Sequence, residues 1–231
     1  MIKIKRQKYR YLSLFALTAA LSACGGNDNE DHVVTAPSHV YEVTLMNITQ
    51  GQIFSPPALT THTQGMKLWQ AGKTASIALE ALAESGDSSQ LIALSGITSS
   101  QVSNAPMMPG DMQTWTLELA STDTLNVSLA TMLINTNDGF TGFTDMDLSA
   151  IALGESYQKM LVVYDAGTEM NDEVALPGSG GEAFNASRAG DVDRVYAHAG
   201  VLTSHELSSS VLLTEHKFDN PAAKLIIKRM Q

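Results

Sequence analysis

Residues 113–119, QTWTLEL, put an apolar side chain at every second position. Trp115, Leu117 and Leu119 fall on one face, and Thr114, Thr116 and Glu118 on the other. Side chains alternate across a strand, so this period predicts a β-strand with one dry face and one wet face. The same period recurs in YEVTLMN (Tyr41–Asn47), with Val43 and Leu45 facing in and Glu42 and Thr44 facing out. NVSLATMLIN (Asn126–Asn135) is apolar on both faces for most of its length, as a central strand is. KMLVVY (Lys159–Tyr164) and AKLIIKR (Ala223–Arg229) complete the set, with RVYAHAG (Arg194–Gly200) as a less regular candidate. Strands separated by Gly, Pro, Asn and Ser clusters predict an all-β chain, an antiparallel sandwich or barrel. One segment departs from period two. TASIALEALAESGD (Thr74–Asp87) spaces Ile77, Ala78, Ala81 and Leu82 as a helix does, with Thr74 or Ser76 to cap its start and Gly86 to end it. The expectation is one short helix in a connection between strands.

The first residues read as an address rather than as structure. MIKIKRQKYR has five basic side chains and no acid, and YLSLFALTAALSA is a short apolar run ending in small residues. That is the layout of a secretory signal and is too short for a stable membrane span. LSAC (Leu21–Cys24) resembles a bacterial lipobox, and it holds the only cysteine in the chain. The expected layout is therefore a signal peptide over 1–23, a flexible tether over 24–38 carrying a lipid on Cys24, and one domain over 39–231. Gly25 after the cysteine, in place of an aspartate, points to the outer membrane, with the domain facing the periplasm or the outside. With Cys24 lipidated, no disulfide can form, so the domain must be held by its core, its hydrogen bonds and any metal. Removing the signal leaves nine basic against 24 acidic side chains, a net charge of −15. That balance argues against nucleic acid as a partner and against electrostatic attachment to anionic lipid.

No catalytic constellation is visible. The chain lacks a G-x-S-x-G elbow and a His-Glu-x-x-His pair, and His39, His62, His198, His205 and His216 are scattered. The glycine-rich PGSGGEAFNASRAGD (Pro177–Asp191) lacks the lysine and flanking elements of a phosphate loop and reads as a surface loop. The methionines Met107, Met108, Met132 and Met160 read as core filler rather than as a copper site. Two acidic clusters hold more promise: NTNDGFTGFTDMD (Asn135–Asp147) and DAGTEMNDE (Asp165–Glu173), each directly after an apolar strand. If those strands end at one rim, their carboxylates can converge on calcium, which takes six to eight oxygens from flexible loops. Gly167 lets the backbone fold tightly between Asp165 and Glu169. The competing reading is that both are plain solvated turns.

Three segments carry a resemblance. GQIFSPPALTTHTQGMKLWQAGKTAS (Gly51–Ser76), MLINTNDGFTGF (Met132–Phe143) and YDAGTEMND (Tyr164–Asp172) together resemble the spondin N-terminal domain, over most of Tyr41–Ile227. The resemblance implies a C2-like antiparallel β-sandwich that binds Ca2+ through acidic loops at one rim. By motif position it implies Asp138, Asp165 and Glu169 as the ligands, with Asp172 and Glu173 left to solvent. The chain departs from the family in having Glu169 where an aspartate is usual. It also has Gly139-Phe140 where a tryptophan follows the first aspartate, so Phe140 or Phe143 takes over that packing. The function implied is a non-catalytic binding or adhesion module at the cell envelope, holding a protein or polysaccharide partner. The alternative is a metal-assisted envelope hydrolase, disfavoured because no histidine adjoins the acidic motif and calcium activates water poorly.

Overall fold

The computed structural model describes residues 38–178, 184, 187–188, 190 and 192–231. The expected signal peptide, Cys24 and the tether up to residue 37 lie outside the described residues, as does much of the 177–191 loop. In chain order the strands are Ser38–Asn47 (β1), Ala58–His62 (β2), Ile97–Val102 (β3), Met112–Ala120 (β4), Asn126–Met132 (β5), Gly139–Asp147 (β6), Ser156–Leu161 (β7), Val163–Asp165 (β8), Tyr196–Ala197 (β9) and Ala223–Arg229 (β10). Two helices, Ile77–Ser85 (α1) and Ser89–Ile92 (α2), lie between β2 and β3. The strands form two antiparallel sheets, one in the order β4-β1-β10-β7 and one in the order β3-β2-β5-β6-β8-β9.

The alternating segments behave as their period requires. Val43 and Leu45 of β1 and Trp115, Leu117 and Leu119 of β4 point inward. They meet Leu225 and Ile227 of β10 and, from the other sheet, Leu59, Val127, Leu129, Phe143 and Val163. Each fully buried Leu or Val contributes roughly 1.5–3 kcal/mol relative to an exposed one. β5 is buried at every residue because both of its faces are covered. Val127 and Leu129 enter the sandwich, whereas Ala130 faces a second cluster built by Leu79, Leu82 and Ala83 of α1. Gly142 lets β6 lie against β5 there, since a Cβ on it would stand 1.9 Å from Leu129 O.

Several expectations need correction. KMLVVY is not one strand: β7 pairs with β10 in one sheet, β8 pairs with β6 in the other, and exposed Val162 marks the crossing. Residues 139–147, read as an acidic loop, are strand β6. Their glycines and threonines hide an apolar pattern that only the neighbours make visible. RVYAHAG shortens to the two residues of β9. The connection holds two helices rather than one. Ser76 caps α1 by accepting Leu79 N–H at 3.2 Å, and Gly86 ends it in the left-handed conformation. The inward face differs in part from the one the spacing predicts: Ile77 is exposed, while Ala78–Glu84 are all buried. Met107 and Met132 are core residues as expected, but Met108 and Met160 are exposed.

Candidate functional site

β5 and β8 run toward the same end of the molecule, so the turn after β5 and the turn after β8 are neighbours. Gly139 pairs with Asp165 in register, which sets Asp138 beside Asp165. Ala166 N–H donates to Asp138 O at 3.2 Å and closes the junction. The loop after Asp165 then curls over Asp138. Asp138 Oδ2 accepts the N–H groups of Thr168 (2.7 Å) and Glu169 (3.1 Å) and the Thr168 hydroxyl (3.1 Å). Asp165 Oδ1 accepts Gly167 N–H at 2.8 Å, and Oδ2 accepts Asn171 Nδ2 at 2.7 Å. The curl depends on Gly167, whose φ is +72° and where a Cβ would meet Arg194 O at 2.3 Å.

Both carboxyls are fully buried. Asp138 Oδ1 has no hydrogen-bond partner. Burial, then the charge of Asp165, pushes the Asp138 carboxyl from its ordinary 3.8 up to about 7, against the loop N–H groups that favour its ionised form. No lysine or arginine is among the groups acting on it. A divalent cation beside Oδ1 would remove this cost, since an opposite charge restores the ionised form. Asp138 and Asp165 are thus brought together. Glu169 reaches the site through its backbone, and its half-buried side chain has an interaction of its own. Among the described residues no group of three or more His, Cys, Asp and Glu side chains is gathered as a metal site. Any cation here would complete its shell with hydroxyl, amide, carbonyl or water oxygens, which calcium accepts.

The surroundings hold residues that sequence reasoning assigned wrongly or passed over. Asp172 is solvent-exposed as expected, but Glu173 is buried, at φ +53°. Its Oε1 accepts Leu202 N–H at 3.2 Å, Oε2 has no partner, and its own N–H donates to Asn137 Oδ1. Burial pushes its carboxyl above the ordinary range. Nothing local marks it, because the residues that cover it lie near Leu202 and Val211. His198 is also buried; its Nδ1 accepts Gly200 N–H at 3.0 Å, its Nε2 has no partner, and burial lowers its pKa. Thr168 and Asn171 lie within DAGTEMNDE, and their hydrogen-bonding side chains were the available signal.

On the outer face of the six-stranded sheet, beside the site, Phe140 meets Trp69 edge-on at 5.0 Å and Tyr164 face-on at 5.7 Å. Phe143 lies on the inner face. A family model described as Spondin_N matches residues 48–179, more than half of the chain, and that stretch includes Asp138, Asp165 and the loop between β8 and Leu176. The chain belongs to the Spondin_N family. Membership suggests a non-enzymatic extracellular binding module. No curated protein matches the chain. Within this spondin domain, the Asp138–Asp165 pair is where chain topology concentrates buried negative charge. An open cavity of about 470 Å³ lies beyond it, lined by Met170, Asn171, Asp172, Val192, Arg194 and Tyr196 and by neither buried carboxylate.

Proposed function

We propose that this chain is an envelope lipoprotein, anchored through Cys24 at the outer membrane, whose spondin domain binds Ca2+ at Asp138 and Asp165, with Glu169, whose N–H already caps Asp138, as a third acid once its side chain turns inward. The domain acts as a non-catalytic binding or adhesion module for a protein or polysaccharide. The observation that carries the metal reading is Asp138 Oδ1: buried, without a partner, and beside a second buried carboxylate. Two such charges held together without a cation cost several kcal/mol, and burial of a charge is tolerated when it is paired or bound to metal. The ion would tie the turn before β6 to the turn after β8, fixing the loop surface at that end. Its chemistry is charge neutralisation and cross-linking of loops. The burial of both acids supports the non-catalytic reading over the hydrolase, because a solute in the adjoining cavity touches neither.

The test is the melting temperature of the protein in EDTA and in a calcium series to 10 mM. Extracellular calcium modules have dissociation constants on the order of 0.1–1 mM, so a hundredfold excess stabilises by about 2.7 kcal/mol. The expected result is a rise of several degrees that disappears in Asp165→Asn. No rise with calcium, magnesium or zinc sinks the metal reading. The lipid on Cys24 is checked separately, by the intact mass of the membrane-extracted protein.

A further inference from the structure

The cavity beyond the Asp138–Asp165 pair is walled by residues that flank Asp165. Met170, Asn171 and Asp172 follow it in the chain. Tyr196 pairs with it in register on β9, and Val192 and Arg194 lie just before. Both walls are held from behind. Asn171 Nδ2 donates to Asp165 Oδ2 at 2.7 Å, and Val195 N–H donates to Lys73 O at 2.9 Å. Polar atoms on the open side are left over. The Arg194 guanidinium is exposed and, among the described residues, has no carboxylate within ion-pair distance. Arg188 and Arg229 differ, since they donate to Glu80 and Asp193 and to Ile151 O and His39. Asp172 uses Oδ1 for Asn137 Nδ2 and Val174 N–H, and Asn171 uses its amide nitrogen. No described residue bonds Asp172 Oδ2 or Asn171 Oδ1. Between these groups lie Met170, which is exposed, and Val192 and Tyr196, which are half-buried.

We propose that this cavity binds one ring of a neutral saccharide. The proposal rests on the reading of the domain as a binding module and narrows its ligand; it does not require the calcium ion. A planar guanidinium fork donates to two neighbouring hydroxyls, and carboxylate and amide oxygens accept from them. Arg194, Asp172 and Asn171 supply those three kinds of group around one opening. Tyr196, Met170 and Val192 supply apolar ground for the C–H face of the ring. The volume of about 470 Å³ lies within the roughly 300–1,000 Å³ of small-ligand sites. Charge favours a neutral ligand. One cation and one anion line the cavity, and a net charge of −15 outside the signal works against a polyanion. Geometry disfavours a peptide. An extended peptide adds to a sheet edge, and the edge here is β9, two residues long.

The experiment is calorimetric titration of the full chain in millimolar calcium. The detergent is a phosphocholine, because glycoside detergents carry the chemistry under test. The probes are glucose-, galactose- and mannose-based neutral trisaccharides, with trigalacturonate and a hexapeptide library as comparisons. The expected result is a dissociation constant on the order of 1 mM for at least one neutral trisaccharide. Arg194→Gln should weaken it about tenfold, the effect of a lost hydrogen bond to a charged group. Lys73→Gln removes an exposed cation that does not line the cavity and should leave the affinity unchanged. No binding of any neutral trisaccharide up to about twenty times that concentration overturns the proposal, as does equal binding by Arg194→Gln. Tighter binding of trigalacturonate or of the hexapeptides also overturns it, and leaves the binding module standing with an anion or a protein as its ligand. The melting temperature is recorded in the same samples. A rise with calcium in protein that binds no saccharide overturns the cavity and leaves the metal reading intact.

Discussion

The carboxyl of Asp138 binds its proton more tightly in the calcium-free folded chain than in the unfolded one, because its pKa is raised from 3.8 to about 7. The stability this contributes is complete below about pH 4, shrinks as pH rises, and is gone above about pH 7. In EDTA the melting temperature should therefore fall across that window, and Asp138→Asn should flatten the slope. The same substitution separates charge from structure. At pH 8 in EDTA the Asp138→Asn variant is expected to melt no lower than the wild type, whereas in millimolar calcium the wild type should melt several degrees higher. Gly167 makes a different demand. Its φ of +72° and the 2.3 Å approach to Arg194 O leave no room for a side chain. Gly167→Ala should cost roughly 1–3 kcal/mol for the backbone conformation alone, plus the displaced contact, read from urea unfolding.

At the level of elements, α1 shows how a helix becomes buried on nearly every side. Ser76→Ala should cost about 1 kcal/mol through the lost cap. Arg188 contributes more. It donates to Glu80 Oε2 through Nε (3.0 Å) and Nη2 (2.7 Å), to Ala75 O (2.6 Å), and to Asp193 Oδ1 (2.7 Å). Arg188→Ala leaves the fully buried Glu80 without its ion partner, a loss of roughly 3–5 kcal/mol for a buried pair. The double variant Glu80→Leu with Arg188→Met should recover most of it, and thermal melts of the two variants decide the matter. Glu80 was invisible in the sequence because a glutamate on a helix reads as the wet face. Its cover arrives 108 residues later. β1, β4 and β10 were legible because their period is set by one dry face, and β5 because it is apolar on both. The crossing at Val162 was not, because a strand that changes sheets keeps its alternation while changing its partners. At the site, Asp138 and Asp165 were found by motif, and their meeting followed from two strands ending at one rim. Glu173 escaped because the residues that bond it, Asn137, Leu202 and Val211, are distant in sequence.

Across the whole molecule, the two tryptophans report separate regions. Trp115 lies inside the sandwich, and Trp69 lies in the cluster between α1 and the outer face of the six-stranded sheet. β5 and β6 supply residues to both clusters, so neither region should unfold alone. Trp69→Phe and Trp115→Phe, each leaving one fluorophore, are expected to give coincident urea transitions. Separate midpoints would show that the helical cover detaches first. The position of β1 bears on something else. It lies between β4 and β10, hydrogen-bonded to each in antiparallel register, and it runs from residue 38 toward the acidic rim. A pull applied at residue 38 and resisted at the acidic rim therefore runs along the strand axis. Such a load does not unzip the ladders one rung after another. It shears both at once, and the domain should bear tension as a lap joint does, with the force divided over two seams.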